Sequence, residues 1–122
     1  MAGFWPLVVN AGQQEQLGPD RRAEIQRLNL GQFEPIVSPS NGFTVSQTVV
    51  AIFGGTNPII NTIAGGLQGD ILVIILASGS LRLRSNVSQD GLRLKSNFNM
   101  NSFDSITFYH GGLTWVEIGR VS

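Results

Sequence analysis

The residues of this chain that could do chemistry are few: one histidine, a handful of carboxylates, and two stretches in which leucines alternate with cations. His110 stands in His110-Gly111-Gly112. No second ligand lies at metal-site spacing, and no serine near it has nucleophile-elbow context, so it reads as a turn residue. Glycoside hydrolysis needs two acids flanking a sugar cleft, and the candidates are Asp70, Asp90, Asp104 and Glu117. Three of them sit beside turn residues or loops, where aspartate usually serves backbone geometry. No catalytic, cofactor-binding or metal-ligating set emerges, and the expectation is a protein that is not an enzyme and carries no cofactor.

The alternating stretches are near-copies: Leu81-Arg82-Leu83-Arg84-Ser85-Asn86 and Leu92-Arg93-Leu94-Lys95-Ser96-Asn97. As strands, each turns its leucines inward and its cations outward. Were the two neighbours in one sheet, Arg82, Arg84, Arg93 and Lys95 would form a single cationic face. Like charges opposite one another are unfavourable, so that face would suit an anionic partner: acidic protein, glycan or phosphate. The plainer reading is a solvated face with each cation splayed to water. Gly65-Gly66-Leu67-Gln68-Gly69-Asp70 lacks the lysine and following helix of a phosphate loop and reads as a turn. Trp115, in a strand, reads as core before it reads as a sugar-stacking platform.

Composition narrows the function classes further. Charged residues make up 13% of the 122-residue chain, about half the usual ~25%, and the eight basic and eight acidic side chains cancel. A neutral surface with few charges favours association, so an oligomer or lattice component is expected. Neutrality and the lack of basic–aromatic interleaving argue against a nucleic-acid partner. Cysteine is absent, which excludes disulfides and thiol chemistry. Met1 to Leu7 lacks the basic start and apolar middle of a signal peptide. The longest apolar run falls well short of the ~20 residues of a membrane span, so no membrane role is expected.

That run, Ile71-Leu72-Val73-Ile74-Ile75-Leu76-Ala77, is bounded by Gly69-Asp70 and Ser78-Gly79-Ser80. Its length and β-branched content predict a strand. Ile71, Val73 and Ile75 point one way and Leu72, Ile74 and Leu76 the other. Both faces need cover: one from a second sheet, the other from a neighbouring copy, with Ile71, Val73, Ile75 and Trp115 as the core or trimer-contact residues. Phe43 to Phe53 and Ile59 to Ile63 read as strands. Ser105 to Tyr109 and Leu113 to Ile118 flank a glycine turn as a hairpin.

Ahead of these, Phe4 to Val9 and Gln13 to Leu17 flank Asn10-Ala11-Gly12 as a small hairpin. Pro19, Asp20 and Glu24 open a weak helix over about 19–29, or an arm ordered by a partner. Residues 33–42, with Pro35 and Pro39, read as a linker. The expectation is an all-β protein: residues 41–122 a β-rich body, antiparallel and sandwich, jelly-roll-like or barrel, and residues 1–40 an extended N-terminal arm.

Two stretches resemble pieces of tailed-bacteriophage virion proteins. Trp5-Pro6-Leu7-Val8-Val9-Asn10-Ala11-Gly12 with Gln14-Glu15-Gln16-Leu17 resembles the short hairpin of fibre and appendage proteins. The run from Ile59, through Gly65-Gly66-Leu67-Gln68-Gly69-Asp70, ends in Ile106-Thr107-Phe108-Tyr109 and Trp115-Val116-Glu117-Ile118-Gly119-Arg120. It resembles the close of trimeric β-rich fibre tips and head decoration proteins. A long shaft and coiled-coil heptads are missing, which favours a small capsid-bound piece. The resemblance implies a homotrimeric cement or decoration protein made in the host cytoplasm and carried on the capsid surface. Its partners would be itself and the major capsid protein, met through an arm bearing Trp5, Leu7, Val9, Arg21, Arg22 and Arg27. The alternative it implies is a receptor-binding tip whose loop 97–102, with Tyr109 or His110, meets host glycan.

Overall fold

The computed structural model describes residues 29–122 and, before them, only the strands β1 (Leu7–Asn10) and β2 (Gln13–Gln16). These pair antiparallel, Leu7 opposite Gln16 and Asn10 opposite Gln13, as the Asn-Ala-Gly turn predicts. The helix expected over 19–29 lies, but for its last residue, outside the described residues. So do Trp5, Arg21, Arg22, Arg27 and the side chains of Leu7 and Val9.

From residue 34 onward the chain is strand and turn, with no helix among the described residues: β3 (Glu34–Val37), β4 (Gly42–Thr44), β5 (Val49–Phe53), β6 (Gly55–Ile60), β7 (Thr62–Ala64), β8 (Ile71–Leu76), β9 (Gly79–Leu83), β10 (Leu92–Arg93), β11 (Phe98–Met100), β12 (Ser105–His110) and β13 (Trp115–Val121). Three sheets result: six strands in the order β10-β13-β12-β8-β5-β3, three in the order β11-β9-β6, and the pair β4-β7. The larger two face each other in a sandwich-like arrangement around one core. Val50, Ile52, Leu72, Ile74, Leu76, Ile106, Phe108 and Trp115 come from one side, and Ile60, Leu81, Leu83, Phe98 and Met100 from the other. Each such aliphatic side chain contributes about 1.5–3 kcal/mol by leaving water.

The pairing direction departs from the expected antiparallel jelly roll or barrel. β3, β5 and β8 stack parallel, as do β6 on β9 and β4 on β7. The chain therefore winds in three-sided coils, each laid on the last, which is the character of a solenoid. The coils end where β12 runs antiparallel to β8 and folds back as β13. Apolar runs such as Val49-Val50-Ala51-Ile52-Phe53 fit this geometry, because parallel strands read as near-continuous hydrophobic runs. That continuity also hid a break: the strand expected over Phe43–Phe53 is two strands, β4 and β5, parted at residues 45–48. The expected linker is part of the body as well. Glu34 to Val37 lie beside Val50 to Phe53, Ile36 packs on the core, and Pro35, which offers no N–H, stands on the edge strand where none is needed.

Glycine and serine make the corners. Gly54 and Gly79 both have positive φ, and Gly54 N–H donates to Ser78 Oγ at 2.8 Å. A Cβ added at Gly79 would fall on the backbone of Gly55 in the coil beneath. Replacing Gly79 with alanine should therefore cost about 2–4 kcal/mol, strain plus overpacking. Gly69 also has positive φ but faces open space, so Gly69→Ala should cost only ~1 kcal/mol. Denaturant melts of the two variants test the coil stacking; equal costs would contradict it.

Candidate functional site

Strand β8 divides its side chains as alternation demands. Leu72, Ile74 and Leu76 are fully buried, whereas Ile71 and Ile75 remain about 40% exposed on the other side, at 40% and 38%. The register extends this outer face across the sheet. Ile71 lies beside Tyr109, Val73 beside Thr107 and Ile75 beside Ser105. On the other flank Val73 lies beside Val49 and Ile75 beside Ala51. Val116 continues from Tyr109, and Val121 from Ser105. Val37, beside Phe53 on the edge, is 72% exposed. No Asp, Glu, Lys or Arg occurs in β5, β8 or β12. Across β5, β8 and β12 the outer face of the sheet is thus uncharged, apolar on β5 and β8 with a Ser–Thr–Tyr stripe along β12, and Arg93, beside Val116, stands at its far edge.

Of the residues expected in the core or at a trimer contact, Ile71, Val73 and Ile75 belong to this face and Trp115 to the core. Trp115 is buried, donates from Nε1 to Ile63 O at 2.8 Å and lies against Gly66, where a Cβ would collide with its ring. Val37, Tyr109, Val116 and Val121 went unnoticed as contact residues. Their signal was the apolar alternate position on strands whose other positions are core.

The expected cationic face does not form. Arg82 and Arg84 lie on or beside β9, between β6 and β11, whereas Arg93 lies on β10 at the edge of the other sheet. Arg82 Nε donates to Asn57 O at 3.1 Å, and Arg84 donates to Leu83 O and Asn99 Oδ1, each at 2.9 Å. Arg93 and Lys95 are exposed. Near-identical sequence placed the two copies in two sheets because pairing is decided by coil stacking, not by local likeness. The inward leucines are as expected: Leu81, Leu83 and Leu92 are fully buried and Leu94 packs on the core.

His110 is more than a turn residue. It is 1% exposed and sits edge-on to Trp115, centroids 4.7 Å apart. Its Nδ1 accepts from Gly112 N–H at 3.0 Å and its Nε2 meets Asp90 Oδ1 at 3.1 Å, so the neutral ring carries its proton on Nε2. Its backbone bonds Asp70 and Gly69. The ring thus ties the turns at 86–91 and 110–114 together, both of its nitrogens spent in doing so, and the backbone of the same residue holds the turn at 67–70.

The candidate acids are likewise bound into structure. Asp70 Oδ2 accepts from Leu67 N–H at 2.9 Å and Asp104 Oδ2 from Asn101 N–H at 2.8 Å. Glu117, 6% exposed, receives Arg120 Nε and Nη2 at 2.6 Å each and Lys95 N–H at 2.9 Å. Arg120 also lies 4.2 Å over the Phe98 ring and donates to Ser96 O, fastening β13 to the segment leading into β11. Among the described residues, surface grooves of about 140, 280 and 430 Å³ occur. Among the described residues no three His, Cys, Asp or Glu side chains gather as metal ligands, and no helix is long and apolar enough to cross a membrane. Comparison with protein-family models, curated proteins and solved structures returned no match.

The Arg120 hydrogen bond, ahead of the opposing effect of burial, holds the Glu117 carboxyl below its ordinary value; the Lys95 N–H bond and the nearby cations add to it. A depressed carboxylate stabilises the fold above its unfolded-state pKa and loses that contribution as pH falls through the folded-state value. Glu117→Gln should thus lower stability at neutral pH by about 1–3 kcal/mol. The gap to the parent should close below about pH 4. Thermal melts across pH check this, and a gap that persists in acid would contradict it.

Proposed function

We propose that the chain is a structural virion protein: a homotrimeric cement or decoration protein of a phage head, joined to its copies through the outer face of the six-stranded sheet. The observation that carries the self-association is that face, uncharged along three adjacent strands and exposed at Ile71, Ile75, Tyr109, Val116 and Val121. At ~4.8 Å per strand and ~3.3 Å per residue, the five strands from β13 to β3 span roughly 25 Å by 17 Å. Apolar patches of about 300–600 Å² are often functional. At about 400 Å² this one supplies about half of the ~800 Å² per partner of an ordinary specific contact, the remainder falling to its flanks. In such a trimer the work is mechanical. Contacts across capsomer boundaries resist internal pressure, and an N-terminal arm holds the shell by adding main-chain bonds to a coat-subunit edge. The virion part of the reading rests on the sequence resemblance.

A second reading is favoured by one observation. Parallel coils grow along one axis, as an appendage built of repeated rungs does, and the Asn-rich segment near Asn97–Ser102 ends in an exposed loop. On that reading the trimer is a receptor-binding tip recognising host glycan.

Charge on the outer face should separate the copies without unfolding them. Ile75→Lys is expected to sediment as a folded monomer, with stability within about 1 kcal/mol of the parent. A trimer that tolerates the lysine would move the contact elsewhere. Removal of residues 1–32 leaves β3 intact, and the remaining body should fold and self-associate but no longer bind empty heads. Decoration by the truncated body would overturn the arm's role. Selective retention on a glycan array would favour the tip over the cement.

A further inference from the structure

Among the described residues, His110 is the fully buried group that imidazole chemistry allows to change charge near neutral pH. Its bonds leave no place for a second proton. The ring lies edge-on to Trp115 and against Gly66, where a Cβ would come within 2.6 Å of its Cδ2. Nε2–H donates to Asp90 Oδ1 at 3.1 Å, and Nδ1 accepts from Gly112 N–H at 3.0 Å. A charged imidazole carries a proton on both nitrogens and accepts nothing. A proton taken from solvent at Nδ1 therefore meets Gly112 N–H donor against donor. The Asp90 bond survives the change and becomes charge-assisted. At Nδ1, proton uptake and closure of the turn exclude each other.

Asp90 is the charged group bonded to the ring, and Gln89 adds an amide to the same carboxylate at 3.3 Å. The turn at 67–70 presents Asp70. Its carbonyl accepts from His110 N–H at 2.8 Å, and its carboxylate is taken by Leu67 N–H at 2.9 Å. β13 presents the Trp115 indole, and the Gly65–Gly66 corner brings no side chain. The turn at 110–114 can yield without the sheet. Gly111 and Gly112 have the backbone freedom to move, Gly112 already at φ +105°. Gly111, Gly112 and Leu113 are exposed, so opening carries little apolar area into water. β12 and β13 stay paired from Ser105–Val121 to His110–Trp115.

We propose that His110 is a proton-operated latch. Neutral, it holds the 110–114 turn shut through Gly112; charged, it keeps Asp90 and lets the turn go. Tyr109 and Val116 form the rung beside the latch and belong to the outer sheet face, so the latch sets how firmly that end of the face is held. The latch stands whether or not copies of the chain meet there.

Nuclear magnetic resonance of the isotope-labelled full chain tests it between about pH 8 and pH 5, the span in which imidazole ordinarily changes charge. As the His110 ring signals move to those of the charged form, hydrogen-exchange protection of the Gly112 amide should fall roughly tenfold, the worth of one net hydrogen bond. Amides within β12 should keep theirs. Asp90→Asn retains an acceptor for Nε2–H, and asparagine tolerates the φ of +61° at that position. Without the carboxylate the ring charges less readily, so the fall should move about one pH unit or more toward acid. The parent titration decides by itself should that variant not fold. A ring that charges while Gly112 stays protected would overturn the latch, as would a ring that stays neutral until the whole fold melts. Loss of protection at the same pH in both proteins would overturn the part given to Asp90.

Discussion

Strand β8 is apolar on both faces, and one of them stays partly open to water. Its inner residues, Leu72, Ile74 and Leu76, are fully enclosed, while Ile71 and Ile75 keep about two fifths of their surface in water. The rest of the architecture follows from burying the first set. β5 stacks parallel on one side of β8 and β12 antiparallel on the other. β9 turns back over Gly79 to close the core from the opposite face. The close corner between Gly55 and Gly79 sets how tightly one coil sits on the next.

What remains polar in the interior acts as fastening. His110 gathers three turns beside Trp115, and the Glu117–Arg120 pair ties the last strand to the segment before β11. These groups could be mistaken for chemistry in the sequence, and the geometry gives each of them a local partner. The surface is the reverse. Its features without cover are apolar: the outer face of the six-stranded sheet, and Phe103, 81% exposed at φ +74°.

Much of the strand content was legible because it rests on local signals. Alternation located Ile71–Leu76, the glycine turn located the β12–β13 hairpin, and the leucines of both cationic copies pointed inward as expected. Partner choice was not legible. A run such as Val49–Phe53 records that both faces are apolar but not whether its neighbour runs parallel. That is why an antiparallel body was expected and parallel coils are found. The same gap left open whether Arg82 and Arg93 share a sheet, and it left Glu34–Val37 as a linker when its partners in β5 lie 16 residues onward. The outer-face contact set was half legible: Ile71, Val73 and Ile75 followed from alternation, whereas Val37, Tyr109 and Val121 join them only through register.

Cover of this surface by further copies of the chain is read most directly from the molar mass of the unmodified protein in dilute solution, by light scattering. A trimer gives about three times the 13.2 kDa of one chain, falling toward one chain only on strong dilution. A mass of one chain at every concentration, with Ile71 and Ile75 still open to solvent, would contradict it.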